Sequence, residues 1–390
     1  MILVDYEKCC GCFACSSSCP KNAIRMTPSD EGFFYPEIDR TLCVDCGRCE
    51  SVCLLTQKKE ETGKMPEAFA AYGKNEEIRK NSSSGGIFSL LAEEVLSAGG
   101  VVYGAAFDES FNVRHIEISD KAELSKLRMS KYVQSLVGDT FTSVKEKLSK
   151  GVTVFYTGTP CQIDGLRLFL GKDYDNLICA DIVCHGVPSE LVWQKYLLYK
   201  DINDVSDIQF RSKVNGWLNF TLVIKSDQKN YSAIFSDDPY MKLFLRNVSL
   251  RKSCYDCPSK GLQRRSDITL ADFWGIDRLD SEMFDDKGTS FLLVHTEKGR
   301  ALLNAIQDKI KIKQVSVSDA VKFNANAVRS EKMPEKRDRF FSEIKGDKPC
   351  DFEKLAKKYC TQKTPAAVKV KVVVKKALKA LERRKQVSPE

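Results

Sequence analysis

Several absences narrow the reading before any motif is considered. No apolar run approaches the roughly eighteen residues that a membrane-spanning helix needs, so no span is expected. No Gly-x-Gly-x-x-Gly fingerprint occurs, which leaves a Rossmann-type nicotinamide site unsupported. No charged-then-apolar leader opens the chain, so a reducing cytoplasm is expected and disulfides are not. Most of the chain also lacks an excess of charge. Residues 363–390 hold nine Lys/Arg against Glu382 and Glu390, so nearly all of the net +8 belongs to this tail. A near-neutral body argues against a nucleic-acid groove, and no nucleic-acid partner is expected.

Cysteine, in contrast, is abundant, with sixteen in 390 residues. Eight fall in two copies of one pattern: Cys9-x2-Cys12-x2-Cys15-x3-Cys19, followed by Pro20, and Cys43-x2-Cys46-x2-Cys49-x3-Cys53. This is the spacing with which bacterial ferredoxins hold two [4Fe–4S] cubanes, the fourth cysteine of each run reaching the other cluster. The expected ligand sets are Cys9, Cys12, Cys15 and Cys53 for one cluster, and Cys43, Cys46, Cys49 and Cys19 for the other. Gly11 and Gly47 fall where each loop must bend around its cluster. The second copy departs from the first at its exit, with Leu54 after Cys53. Zinc sites favour separated pairs rather than three cysteines in a row at this spacing. Cys10, inside the first loop, reads as a packed bystander.

The chain length accommodates two to three domains. Residues 1–55 form the cluster unit, an α+β ferredoxin-like domain, and residues 56–66 read as a polar linker. The body, 67–345, alternates strand-like and helix-like runs, the signature of an α/β domain with a mixed sheet flanked by helices. Strands are predicted at Gly100–Phe107, Val152–Tyr156, Leu177–Val183, Ile268–Ala271 and Phe291–His295. Helices are predicted at Gly86–Ser97, Asp139–Leu148, Glu190–Tyr199 and Lys298–Ile310, and a hairpin at Leu218–Ile224 with Tyr231–Phe235. Residues 346–390 read as a basic tail. Val370, Val373, Val374, Ala377, Leu378 and Leu381 share one helical stripe there, opposite Lys369, Lys375, Lys376, Lys379 and Arg383. Such a helix suits an anionic membrane face or a protein partner, so peripheral attachment at the inner membrane face is an expectation.

Four further cysteines occupy motif-like settings. Cys161 follows an apolar strand and precedes a helix, Cys184 ends another strand, and Cys254 and Cys257 form a Cys-x2-Cys pair before Pro258. Sites in open α/β sheets collect beyond the carboxyl ends of strands. Spacing alone leaves a third cluster, a zinc site and four unrelated buried thiols all open. Cys179, Cys350 and Cys360 have no partner pattern and read as inert.

An ordered series of motifs resembles one family. Ser82-Ser-Ser-Gly-Gly-Ile-Phe-Ser89, Ser130-Lys-Tyr-Val-Gln134, Gly158-Thr-Pro-Cys-Gln162, Cys184-His-Gly-Val-Pro-Ser189, Cys254-x2-Cys257-Pro258 and Ala271-Asp-Phe-Trp-Gly275 together look like the β subunit of the deazaflavin-coenzyme (F-420) hydrogenases and dehydrogenases. The resemblance covers about residues 65–345, and an N-terminal ferredoxin unit is often fused in that family. It implies FAD and a third [4Fe–4S] cluster on Cys161, Cys184, Cys254 and Cys257. A flavin converts one-electron transfers into two-electron chemistry, which is what cluster-fed hydride transfer requires.

Candidate flavin contacts are Ser83, Ser84, Gly85 and Gly86, which precede a helix and would leave backbone N–H groups for a phosphate. Lys131 and Gln134, and Gly158, Thr159 and Gln162 at a strand–helix junction, complete the set. His185 would tune cluster or flavin by a hydrogen bond. His115 and His295 read as structural, and Asp272 either bonds a cofactor or caps its turn. The chain is thus expected to be an iron–sulfur flavoprotein oxidoreductase that exchanges electrons with a ferredoxin or a redox-enzyme subunit and acts on a small molecule. The rival readings are a non-catalytic electron-transfer subunit and a cluster-based redox sensor.

Overall fold

The computed structural model describes residues 5–57, 63–346 and 348–360. The amphipathic stripe at 370–383 lies outside the described residues.

Strands β1 (Ile24–Pro28) and β2 (Phe34–Ile38) pair antiparallel between the two cysteine loops. Short helices Ala14–Ser18 and Arg48–Ser51 follow those loops, each entered through a left-handed residue. Gly11 and Gly47 have φ of +66° and +72°, a conformation that only glycine adopts at no steric cost.

The body is built on β3 (Glu67–Gly73), β4 (Val101–Phe107), β5 (Val113–Ile118), β6 (Val154–Gly158), β7 (Leu177–Ile182), β8 (Val205–Ser212), β9 (Thr221–Ser226), β10 (Tyr231–Ile234), β11 (Ile268–Asp272), β12 (Ser290–Val294) and β13 (Ile310–Val315). Eight of them form one mixed sheet in the order β13-β3-β12-β11-β7-β6-β4-β5. Its centre, β4, β6, β7 and β11, is parallel. Antiparallel strands flank that centre on both sides. Central strands covered on both faces read as near-continuous apolar runs, and β6 and β7 follow that rule. Strands β8, β9 and β10 make a separate antiparallel sheet.

Helices Ile87–Ser97 and Glu297–Asn304 pack with one face of the main sheet. Helices Thr140–Ser149 and Pro160–Leu170 pack with the other. The helix predicted over Lys298–Ile310 stops at Asn304, and Ile310 instead opens β13, whose alternating Ile-Lys-Ile-Lys pattern fits an edge strand. Phe352–Cys360, placed in the tail by its sequence, is a helix that buries Phe352, Leu355, Ala356 and Tyr359 against helix Pro239–Leu245.

The cluster unit shares its interior with the body. Phe33 and Tyr35 join the aromatic core around Trp193 and Tyr240, and Phe13 and Ala14 join the core beneath helix Pro160–Leu170. No helix of the described residues is long and apolar enough to cross a membrane.

Candidate functional site

The parallel centre of the sheet sends three loops to one edge. The β6 loop delivers Gly158 to Cys161, the β7 loop Cys184 and His185, and the β11 strand Asp272 and Trp274. Together with Ser83, Ser84, Gly86, Lys131, Cys254 and Cys257 they line one cavity of about 750 Å3. That is the size range of small-molecule and cofactor pockets. It forms where strand-end loops of a parallel sheet meet.

Three sets of four thiols can be distinguished. Cys9, Cys12, Cys15 and Cys53 stand within electrostatic reach of one another. Cys19, Cys43, Cys46 and Cys49 line a smaller cavity of about 90 Å3 at the surface, where Cys46 is exposed. Cys161, Cys184, Cys254 and Cys257 stand within reach of one another at the large cavity. Among the described residues no three His, Cys, Asp or Glu groups converge as tightly as a single metal ion requires. The latter two sets instead surround a space.

Their electrostatics fit an iron cluster. Burial pushes Cys184 up to about 11 and Cys257 up to about 12, and drives Cys254 and Cys15 higher still. Neighbouring thiols add to the rise. Cys161 is the exception in the body set, lowered to about 7 by hydrogen bonds from Cys10 and Thr159 against its burial. Its three raised neighbours ionise beside it only with a compensating cation, which cluster iron would supply. Backbone N–H groups are already aimed at the sulfurs. Gly11 bonds Cys9, Ser16 bonds Cys15, Leu55 bonds Cys53, Gly186 bonds Cys184, Val187 bonds Cys254 and Ser259 bonds Cys257. The Ala23 N–H donates to Cys19 Sγ at 3.3 Å. Hydrogen bonds to the charged form favour it, and N–H to sulfur bonds set cluster potentials.

A fully buried arginine ties the cluster unit to this centre. Arg251 donates to the carbonyls of Cys9 (2.7 Å) and Phe34 (2.9 Å) and to Gln134 Oε1 (3.1 Å). It also lies over the Tyr35 ring, 4.1 Å from the centroid. Each acceptor is an uncharged oxygen. The guanidinium pulls the Cys9 thiol down against the larger effect of its burial. Gln134 completes the tie by donating to the carbonyl of Cys10 at 3.1 Å.

The side chains expected at the site are engaged as follows. Gln134 reaches the cavity wall, but its amide is spent on Cys10 and Arg251. Gln162 closes a capping box with Thr159 and donates to the carbonyl of Ser135 at 3.0 Å. Gly85 is absent from the cavity lining, and its N–H is taken by Ser290 Oγ at 3.0 Å. Ser84 donates to the carbonyl of Thr289 at 2.8 Å. His185 does not reach sulfur with its ring nitrogens. Its Nε2 bonds Asn247 Oδ1 (2.6 Å) and its Nδ1 bonds Asn326 Nδ2 (2.9 Å). Asp272 grips both terminal nitrogens of Arg211, at 2.6 and 2.8 Å, and accepts from Trp217 Nε1. Cys10 is packed, as its position implied, yet its thiol is in hydrogen-bond reach of both Cys12 and Cys161.

What remains available to a ligand is specific. Gly86 caps helix Ile87–Ser97 with no side-chain bond, so the first N–H groups of that eleven-residue helix face the Ser83–Gly86 turn unsatisfied by a cap. Lys131 points its ammonium toward the carbonyls of Arg128 (3.0 Å) and Met129 (3.4 Å), and burial lowers it to about 7. Ser83 Oγ accepts from the Ser130 N–H at 2.7 Å.

Sequence reasoning passed over the aromatic wall of Phe220, Phe235 and Trp274, and Arg211 stacked 4.1 Å from the Phe220 centroid. It also passed over His115 as a cavity residue. Its Nδ1 bonds Ser135 Oγ and its Nε2 the Thr157 carbonyl, and burial lowers it to about 4. They come from β5, from the β8–β10 sheet and from the segment after β11, so no local pattern signals their meeting.

Comparison with known proteins places this arrangement. The chain is 19% identical over 225 residues to one of the subunits of the F(420)H(2) dehydrogenase from Methanosarcina mazei, which is 53% of this chain and 63% of that protein. Over 52 residues it is 38% identical to an uncharacterised ferredoxin of Methanocaldococcus jannaschii, 13% of this chain and 66% of that one. It therefore spans somewhat less than two thirds of each of these relatives. A chain of the F420-reducing [NiFe] hydrogenase complex from Methanosarcina barkeri superimposes with a TM-score of 0.46 at 16% identity, over 69% of this chain and 91% of that one. Residues 8–55 match the 4Fe-4S dicluster domain, residues 68–140 the N-terminal part of the coenzyme F420 hydrogenase/dehydrogenase beta subunit, and residues 152–320 its C-terminal part. The chain belongs to the family of coenzyme F420 hydrogenase/dehydrogenase beta subunits, which are iron–sulfur oxidoreductase components, and carries a 4Fe-4S domain at its amino end.

Proposed function

We propose that this chain is an iron–sulfur flavoprotein oxidoreductase. Two cubanes in residues 1–55 exchange electrons with a third at Cys161, Cys184, Cys254 and Cys257, and with FAD in the adjoining cavity. A two-electron small molecule, a deazaflavin coenzyme or another, is the substrate, and a ferredoxin-like protein or redox subunit is the external partner. The observation that carries this reading is that the body's four thiols share one cavity with the Ser83–Gly86 turn and Lys131. Bound flavin supplies the conversion between one-electron and two-electron transfer.

The residues divide the work. The capless start of helix Ile87–Ser97 and the Lys131 ammonium form the anion-binding end of the cavity. The apolar wall of Phe220, Phe235 and Trp274 excludes water and offers flat surfaces to rings. The Arg211–Asp272 pair holds that wall in place, with Trp274 stacked 5.0 Å from Trp217.

Purification without oxygen tests the reading. About twelve irons, four per cubane, with stoichiometric FAD support it; iron without flavin would leave an electron carrier. Affinity for FAD should also depend on pH. Lys131, lowered to about 7 by burial, is cationic below that pH, and an anionic ligand favours the cation. Above about pH 7 binding must bring in a proton, so affinity falls by up to about tenfold per pH unit. In Lys131→Met this slope should vanish and binding be weak throughout. An unchanged slope in titrations of the variant would remove Lys131 from the site.

A further inference from the structure

Helix Pro160–Leu170 carries a glycine in its interior, where glycine is destabilising relative to alanine. The environment explains it. A Cβ on Gly165 would lie 3.0 Å from Cys12 Cβ and 3.1 Å from Cys12 Sγ. Gly165 lies four residues beyond Cys161, and positions four apart share one helix face. One side of this helix therefore carries a body thiol and, a turn later, the gap that admits a thiol of the cluster unit. Cys10 fills the remaining space, 8% exposed, with its thiol in reach of both Cys12 and Cys161. Helix Ala14–Ser18 packs against the same helix, and Gln134 and Arg251 fix the loop at the Cys10 and Cys9 carbonyls.

We infer that the seam of Cys12, Cys10, Cys161 and Gly165 is the crossing between the cluster unit and the body, and that Gly165 sets its width. The inference rests on the proposed function. It orders the path from the exposed Cys46 set, through the Cys9 set, to the Cys161 set at the large cavity. Each crossing moves one electron and makes or breaks no bond. The donor side is oxidised by one electron and the acceptor side reduced by one, and two crossings complete a two-electron turnover. Gly165 and Cys10 are positioning residues here, since neither belongs to a ligand set.

The test uses the full chain, purified without oxygen, as wild type, Gly165→Ala, Gly165→Val and Cys10→Ala. Iron and flavin content are measured first. Electron paramagnetic resonance of dithionite-reduced protein then reads magnetic interaction between clusters. Freeze-quench after mixing with substoichiometric reduced methyl viologen reads how fast electrons equilibrate between them. The variants are expected to retain wild-type iron. Gly165→Val should weaken the magnetic interaction and slow equilibration by about tenfold or more, as ångström-scale displacement of reacting centres does. Gly165→Ala should show a smaller loss. Cys10→Ala should slow equilibration while leaving the iron count untouched.

Full iron with unaltered interaction and rate in Gly165→Val and Cys10→Ala would overturn the crossing. Should Gly165→Val fail to hold iron, the Ala variants decide alone. A wild type with only the N-terminal clusters would instead sink the proposed function, and the crossing with it.

Discussion

Cys254→Ala protein, purified without oxygen, is expected to hold about eight irons in place of about twelve and to lose electron delivery from a one-electron donor to the cavity. Cys254 is the cleanest of the body's four thiols to remove. It lies in the 3-10 turn Lys252–Asp256, and the thiols that most raise its own are Cys184 and Cys257. The Cys9 and Cys19 sets should therefore keep their iron and their reduced-state spectrum. Loss of a single ligand should release the whole cubane, because the remaining three thiols are half-buried and mutually repulsive once ionised. Flavin should still bind, since none of its proposed contacts moves. Iron analysis and the visible spectrum read both results. A Cys254→Ala protein with undiminished iron would show that the four thiols hold no cluster.

Replacing Arg251 with Ala is the second large effect. The change strands the carbonyls of Cys9 and Phe34, empties a fully buried site and removes the cation that faces Cys9. A cost of about 3–5 kcal/mol is expected, seen as a lower thermal midpoint and faster iron release from the amino-terminal unit. The electrostatic part can be separated from the packing part. A nearby positive charge favours the more negative, reduced cluster, so its loss should lower the midpoint potential by tens of millivolts, where about 59 mV is tenfold for one electron. Arg251→Lys retains the charge but not the planar fork. It should recover most of the potential and little of the stability. If Arg251→Ala melts and titrates like wild type, the guanidinium is neither tie nor tuning charge.

Much of the architecture could be read from the chain because its signals are local. The repeated cysteine spacing marks the cluster unit, and continuous apolar runs mark the parallel strands β4, β6, β7 and β11. The positions of Cys161, Cys184 and Asp272 at strand ends then follow from layering rules. Strand β3 escaped notice because Glu-Ala-Phe-Ala-Ala-Tyr-Gly has weak strand propensity. It is a strand because β12 and β13 bind it on both edges. The partners of polar side chains were the least legible. Gln134 and Gln162 are in the cavity wall, but their amides serve Cys10, Arg251, Thr159 and Ser135. Nothing in a one-dimensional pattern tells an amide that greets a cofactor from one that braces a loop. Arg251 was invisible for the same reason, since its acceptors lie 217 and 242 positions away in sequence.

The shared interior of Phe33 and Tyr35 with Trp193, reinforced by the Arg337–Glu31 pair at 2.6 Å, has a kinetic corollary. A ferredoxin that diffuses must meet its acceptor, so its delivery slows on dilution. On the electron path proposed above, donor and acceptor share one interior. Internal delivery would therefore be first-order and indifferent to protein concentration, and the dependence on encounter would remain at the outermost step, at Cys46.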